Sequence, residues 1–597
     1  QYLMSRNSNL LDVKLFKRLL EYVLVYKTVF VFVAISAILI SIFSTLTPYL
    51  IKVAVDDYLA LGKYQDFIYL IIFMLFNLLL TVLFMFLFSY YANLLGQKVI
   101  YDVRVQLFKH ILDFKMSYFD KSSVGRLVTR AVNDMETIAS IFSQGLFMIA
   151  ADLMQMSLVI VVMLFLSWQL SLTVFIILPF ILFATRKFQK SMKIAFNEVR
   201  SEVANLNSFV QERITGMKIV QLFNREKIEY DNFVQINEKH KKAWLKTVWY
   251  NSIFFPIAEL STSITIGLIV WFGGLNAVLE NSSVTLGTIF LFIQLSQMLF
   301  RPLRQIADKF NTLQMGMVAA NRIFKIIDTT SNISDFGTKN KDLINGKIVF
   351  KDVSFSYIEN EKVIKKLSFK INNGEKIAIV GSTGSGKTTI VNLISRFYEV
   401  QNGSIFIGNH NIKDYKLQSL RSRVALVLQD VFLFADTILN NITLWDSSIS
   451  FDRVVNAAKK IGIHDFILSL PDGYNYNVKE RGVMLSQGQR QLISFLRAYI
   501  KNPSILILDE ATSSIDSNSE ELIQNATEKI TENKTSIIIA HRLSTILNSD
   551  RIFVMSQGML VEQGTHTELV AKKNGYYKGL YEIQFQKEKI TEAQSQV

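Results

Sequence analysis

Cysteine is absent from the 597 residues, which excludes disulfides and thiolate zinc sites. Histidine is scarce: the six present are scattered without ligand spacing, so no structural metal centre is expected. Proline is equally scarce, and four of its six residues (Pro48, Pro179, Pro256 and Pro302) lie in or beside apolar runs. Neighbouring helices can satisfy the backbone groups freed there, so these prolines read as kinks in packed helices. No signal peptide is expected ahead of the first apolar run. What is plentiful is hydrophobicity: half of all residues are apolar and the mean hydropathy is +0.28, too high for an ordinary soluble enzyme. A net charge of +14 fits either a nucleic-acid partner or the lysine and arginine excess of cytoplasmic membrane loops.

The length is ample for two or more domains, and the chain is asymmetric. Apolar runs lie near 28–51, 67–97, 153–185 and 281–300, with a nearly continuous one over 247–279 broken by Glu259. Each can cross a hydrocarbon core, which takes about 20 helical residues. The run 153–185 is too long for one span, and a turn at Ser167-Trp168-Gln169 divides it into two, giving six transmembrane helices. Segments 98–136 and 186–246 carry about 20 lysines and arginines together, whereas the alternate connections carry almost none; both termini are therefore expected inside. Helical spacing of apolar residues over Val99–Met116 and Ile194–Phe223 predicts that spans continue far into the cytoplasm. Turns are expected near Tyr118 through Asp134 and near Glu212 through Gly216.

After Ile327 the composition changes. Residues 328–346 are polar and read as a linker. From Lys347 short strands alternate with turns and helices, as in KIAIVG, SILILD and TSIIIAH, which predicts an α/β domain with a largely parallel core. No internal repeat of 20–50 residues is found. The expected division is an all-α six-helix transmembrane domain over 1–327, the linker 328–346, a nucleotide-binding domain over 347–585 and a polar tail over 586–597.

The second domain carries its chemistry at fixed spacings. GSTGSGKTT at 381–389 (Gly381, Ser382, Thr383, Gly384, Ser385, Gly386, Lys387, Thr388 and Thr389) follows an apolar strand and opens a helix, as a phosphate-binding loop must. Its amides and the helix N-terminus face phosphates, Lys387 reaches the β and γ oxygens, and Thr388 takes Mg²⁺. SILILDE ends a buried strand with two acids: Asp509 to hold Mg²⁺ through its waters, and Glu510 to polarise an attacking water. His541 ends the next strand, where it can bond the γ-phosphate. LSQGQ at 485–489 (Ser486, Gln487, Gly488, Gln489) precedes an apolar helix and makes a second anion site. Since the domain's own ATP has a phosphate loop, this second site is expected to serve the ATP of another copy, two domains burying two nucleotides head to tail.

With these elements in this order, nearly the full chain resembles the exporter half-transporters of the ATP-binding cassette superfamily. The resemblance implies that Gln429 in VLQD is the loop residue linking Mg²⁺ to the membrane domain, that Tyr357 stacks on adenine, and that Asp516 crosses the dimer. Glu480-Arg481-Gly482 resembles the short exporter element ahead of the signature, and YFDKSSVGRLVTRAVND and QERITGMKIVQLFNRE resemble the surroundings of two coupling helices. One departure is Gln487, where the family usually has glycine. It is either neutral or a mark of the branch in which two different half-chains pair with one weakened ATP site.

The resemblance implies an ATP-driven exporter of amphiphilic or hydrophobic, multidrug-type cargo, or alternatively a lipid or lipid-conjugate flippase, in the cytoplasmic membrane; the richness in lysine, isoleucine and asparagine reads as bacterial. ATP and Mg²⁺ are its expected cofactors and a second half-transporter its partner, a homodimer favoured over a heterodimer, with no nucleic acid. An ATP-gated channel or regulator would tolerate loss of Glu510 or His541, and both are present. Asp152 and Glu259 lie at matching depths, roughly 23 Å from the outer ends of their helices, and are candidates for an acidic patch that receives cationic amphiphiles.

Overall fold

The computed structural model describes residues 13–582 apart from 61, 63, 278–283, 332–334, 341–343, 345, 510–516 and 541–542. Two units result: Gln1–Leu112 with Ser123–Thr330, and Asp113–Ser122 with Ser331–Val597.

Among the described residues of the first unit six helices are long and apolar enough to cross a membrane: Lys27–Leu59, Gln65–Leu112, Val124–Leu166, Trp168–Thr215, Glu226–Ala277 and Leu286–Leu303, the last being part of a helix that continues to Ile327. Most exceed a bilayer; the 49 residues of Tyr64–Leu112 reach roughly 74 Å at 1.5 Å per residue, so polar continuations extend well beyond the hydrocarbon. The long apolar run does divide at Ser167. Its backbone turns extended (φ −159°, ψ 104°) and its hydroxyl accepts the Leu170 amide at 3.4 Å, capping the fourth span. Pro48, Pro179, Pro256 and Pro302 all sit inside helices. Three widened, π-helical turns (Ala54–Leu59, Arg130–Asp134, Ile141–Leu146) carry no signal in the apolar periodicity.

Large apolar side chains are exposed along every span, Phe165 and Phe183 among them, because their solvent is lipid rather than water. The interior is a seam of Met163, Leu170, Val174, Ile269, Phe292, Leu295 and Phe300. Small residues set how near helices approach: a Cβ on Gly316 would lie 2.1 Å from the Ile141 side chain, so the third and sixth helices touch there at backbone distance. Polar groups turn inward: Asn77, 2% exposed, donates to the Phe43 carbonyl at 3.0 Å and to the Thr47 hydroxyl at 2.8 Å on the first span.

The second span ends at Leu112, the short helix Met116–Lys121 follows, and the third span begins at Val124. The turn is thus shorter than the expected Tyr118–Asp134, because 124–134 is already helical. At the other inner turn the chain breaks at Gly216 and forms the helix Met217–Leu222.

Among the described residues the second unit has ten strands: β1 Ile348–Ser356, β2 Lys362–Ile371, β3 Lys376–Gly381, β4 Asn402–Ile407, β5 His410–Asn411, β6 Val424–Val427, β7 Ile505–Asp509, β8 Thr535–Ile539, β9 Arg551–Ser556 and β10 Met559–Gly564. An antiparallel sheet has the order β2-β1-β4-β5, and a six-stranded sheet the order β10-β9-β3-β8-β7-β6. In the latter, β6, β7, β8, β3 and β9 are parallel and β10 closes the edge antiparallel. The parallel strands read as unbroken apolar runs since both faces are covered, as in the fully buried Thr535–Ile539. Ile348, Phe350, Phe369, Ile377, Ile390 and Phe553 build one core; Val454, Leu492, Leu496, Leu506 and Ile538 build another under the helices.

Candidate functional site

The geometry of the site follows from the register of the parallel strands. Ile379 on β3 pairs with Ile539 on β8, Ile539 with Asp509 on β7, and Leu508 with Val427 on β6. All four strands therefore end along one edge, which is where ligands bind in open parallel sheets. That edge delivers Gly381 and its loop, Asp509, and, two residues past β6, Gln429, which is exposed. Glu510, Asp516 and His541 lie outside the described residues.

From β3 the chain turns through Ser382–Ser385, the Ser385 amide donating to the Ser382 carbonyl at 3.1 Å, and enters the helix Lys387–Ile394. Gly386 has φ +100°, and a Cβ there would lie 2.7 Å from Ile364, so glycine is needed on two grounds. Lys387 curls inside the loop and donates from Nζ to the carbonyls of Gly381 at 2.7 Å and Ser382 at 3.0 Å. Burial holds its ammonium below the ordinary lysine range, with the Asp509 carboxylate acting in the opposite sense. Ser382, Thr383, Gly384 and Thr388 are exposed, whereas Ser385 and Thr389 are buried. The Ser385 hydroxyl has no hydrogen-bond partner. An orphaned donor beside a desolvated ammonium and the free amides of a helix start suits a polyphosphate.

Among the described residues no group of three or more acidic or histidine side chains could hold a metal ion. Mg²⁺ does not require one: bound to a nucleotide it keeps several waters and takes few protein ligands. A hydroxyl from Thr388, the Gln429 amide oxygen and the Asp509 carboxylate fit that habit.

The signature segment forms the start of the helix Gln487–Lys501. Ser486 caps it reciprocally with Gln489: the Ser486 hydroxyl accepts the Gln489 amide at 3.2 Å, and the Gln489 side chain accepts the Ser486 amide at 2.9 Å. Gly488 is buried and Gln487 half-buried as the first helical residue, while Ser486 stays exposed with its hydroxyl proton to donate. Ahead of it, Lys479 and Arg481 take positive φ (57° and 54°) in the turn Glu480–Gly482. Arg490 fastens that turn by donating to the Leu485 carbonyl at 2.8 Å.

Tyr357 follows β1, and its hydroxyl ties it to the phosphate-loop helix, donating to Thr389 at 3.3 Å and accepting from Asn392 at 3.1 Å. Its ring meets Phe355 and Tyr398 edge-on at 4.9 and 5.0 Å. Asn392, and Tyr398 packed beside the site, were not expected from the sequence. Sequence offers only a weak signal for them, a polar residue one helical turn past Thr388 and the aromatic pair Phe397-Tyr398 just after the helix.

In the membrane unit, Asp152 is not a lone acid: it forms an ion pair with Lys309 across the third and sixth helices, both side chains less than one-fifth exposed. The expected acidic patch is therefore neutralised at Asp152, a partner that no sequence spacing announces. Glu259 is exposed on the fifth span.

Comparison with known proteins covers most of the chain. Residues 30–303 match the family described as ABC transporter transmembrane region, and residues 364–513 the family described as ABC transporter. A Staphylococcus aureus protein named as a multidrug export ATP-binding/permease protein is 36% identical over 95% of this chain and 99% of its own length. An ATP-dependent lipid A-core flippase of Syntrophus aciditrophicus is 37% identical over 84% of this chain and 83% of its own. The structure of a bacterial Atm1-family ABC exporter with ATP bound superposes with a TM-score of 0.73 at 26% identity, covering 97% of this chain and 99% of that one.

Proposed function

The chain belongs to the ATP-binding cassette exporters, as a half-transporter with one membrane region and one ATP-hydrolysing domain, and from that premise we propose that two copies export amphiphilic or hydrophobic molecules by alternating access. The observation that carries this reading is the pair of phosphate-binding starts on separate helices, Lys387–Ile394 and Gln487–Lys501, the second presenting an exposed, capped Ser486. One chain needs only the first for its own ATP; the second becomes useful when another chain faces it.

In this reading Lys387, the loop amides and the Ser385 hydroxyl bind the β and γ oxygens of ATP, and Tyr357 carries the adenine. Ser486 and Gly488 close over the γ-phosphate bound to the other copy, so nucleotide binding pulls the two domains together. Mg²⁺, held by Thr388, Gln429 and Asp509, would neutralise phosphate charge. Glu510 polarises the attacking water, His541 bonds the γ-phosphate, and Asp516 approaches the partner domain. The short helices Met116–Lys121 and Met217–Leu222 are the coupling helices that carry this closure to the spans. The membrane is the cytoplasmic one of a bacterium, with both termini inside.

A second reading, a flippase for lipids or lipid conjugates, draws support from the lipid A-core flippase relative. It also draws on the Asp152–Lys309 pair, which presents both signs of charge rather than an acid selective for cations. The deciding experiment is ATP hydrolysis by the chain alone in lipid vesicles, with Glu510→Gln as the blank. Turnover that disappears in the variant establishes a self-sufficient homodimer with a harmless Gln487. ATP binding without turnover indicates a different partner chain. Stimulation of turnover by a lipophilic cation, against stimulation by added lipid alone, separates the two cargo classes.

A further inference from the structure

Tyr398 stands outside every phosphate-binding motif, yet it touches both Tyr357 and the helix Met116–Lys121. Its ring lies edge-on to Tyr357 at 5.0 Å and 87°, and to Phe355 at 5.7 Å and 67°. Its hydroxyl donates to the Asp120 carboxylate on that helix. Both partners belong to the same unit, since Asp113–Ser122 packs with the nucleotide domain rather than with the spans that flank it.

The surroundings fix both ends. Tyr357 is fastened to the phosphate-loop helix through Thr389 and Asn392, so the plane of its ring follows that helix. The loop bearing Tyr398 is fastened at Arg396, which adopts φ +48° and donates to the Tyr415 carbonyl at 3.2 Å. Arg421 binds the Arg396 carbonyl at 3.2 Å and lies over the Phe397 ring at 5.1 Å. Gln401 reaches back to the Ser356 carbonyl at 3.0 Å, beside Tyr357. On the far side, the Lys115 amide donates to the Ser331 carbonyl at 2.6 Å, and Phe114 packs on Tyr118 at 4.2 Å between ring centres. The Tyr398–Asp120 bond joins these two fastened elements.

We propose that Tyr398 is a positioning residue that reports occupancy of the adenine platform to the helix Met116–Lys121. A base stacked on Tyr357 fixes that ring, the edge-on packing fixes Tyr398, and the Tyr398 hydroxyl then holds Asp120. The bond to a charged acceptor is stronger than one between neutral groups, so a single hydroxyl suffices for the connection. The inference rests on reading Tyr357 as the adenine platform, and Tyr357→Ala tests that premise by itself through the KM for ATP.

The test uses the full chain in lipid nanodiscs, with hydrogen exchange of residues 113–122 followed with and without ATP, beside steady-state ATP hydrolysis. In the unaltered protein ATP slows exchange across 116–121. Tyr398→Phe keeps the edge-on packing and loses the hydroxyl: KM for ATP stays within error, while the ATP-dependent slowing falls about threefold or more. Asp120→Ala reproduces that loss, and Asp120→Asn, which keeps an acceptor oxygen but not the charge, retains only part of the slowing. A general folding defect would instead raise exchange equally with and without ATP. If Tyr398→Phe shows the same ATP-dependent slowing as the parent, or if the parent shows none, the proposal is wrong. An unchanged KM in Tyr357→Ala would overturn the adenine premise separately.

Discussion

The two units solve opposite problems with their polar groups. In the membrane unit polar side chains turn inward and find one another, as Asn77 does with the first span and Asp152 with Lys309, while apolar ones face out. In the nucleotide unit the strands are buried through and the polar chemistry collects at their ends, on turns that a ligand can approach. A polar residue in the first unit is thus a question about which helix faces it. In the second it is a question about which strand it terminates.

The largest expected effect sharpens the strand-end half of that contrast. Glu510→Gln should lower ATP turnover by about a hundredfold or more, the scale of losing a group that acts at the transition state, with ATP binding preserved in a filter or fluorescence assay. Next comes the inward half. Asp152→Ala leaves Lys309 without its acid between two helices and should cost about 3 kcal/mol of stability, as broken buried pairs do. Thermal melting in nanodiscs would register it, and Asp152→Ala with Lys309→Ala should recover most of the loss. If the single variant melts like the parent, the pair is hydrated and the contrast weakens. Smaller again, Tyr357→Ala should raise the KM for ATP by about fivefold, the equivalent of one lost base–aromatic stack at about 1 kcal/mol, with little change in kcat. Smallest in stability is Ser486→Ala, which removes a helix cap worth about 1 kcal/mol. Its hydrolysis should fall further than that stability change explains if Ser486 also contacts phosphate in the partner's site.

What the sequence makes legible follows the same division. The phosphate loop, LSQGQ and SILILDE are contiguous, and each is set by a local backbone path, so their placement on β3, β7 and a helix start could be read before any fold was known. The division of the 153–185 run at Ser167 was legible for a similar reason: length exceeded one bilayer and Ser167-Trp168-Gln169 marked a turn within it. Contacts between distant stretches were not legible. Lys309 lies 157 residues from Asp152, and an acid alone in an apolar run carries no mark of its partner. The shortened inner turn was also missed, because basic residues at 126 and 130 look alike in a loop and on the cytoplasmic extension of a helix.

The assignment of residues 113–122 to the nucleotide unit has a consequence for how the protein is made. Tyr398 and Asp120 are separated by 278 positions, so the ribosome delivers the short helix and its flanking spans long before the loop that receives it. At about 5–20 residues per second, Asp120 precedes Tyr398 by roughly fifteen seconds to a minute. During that interval the exposed Met116 side chain and the rest of this segment lack their eventual neighbours. A nucleotide domain cut free at Ser331 would lack this segment permanently, which makes the excised domain a poorer mimic of the intact one around Tyr357 and Tyr398 than at the turn Ser382–Ser385.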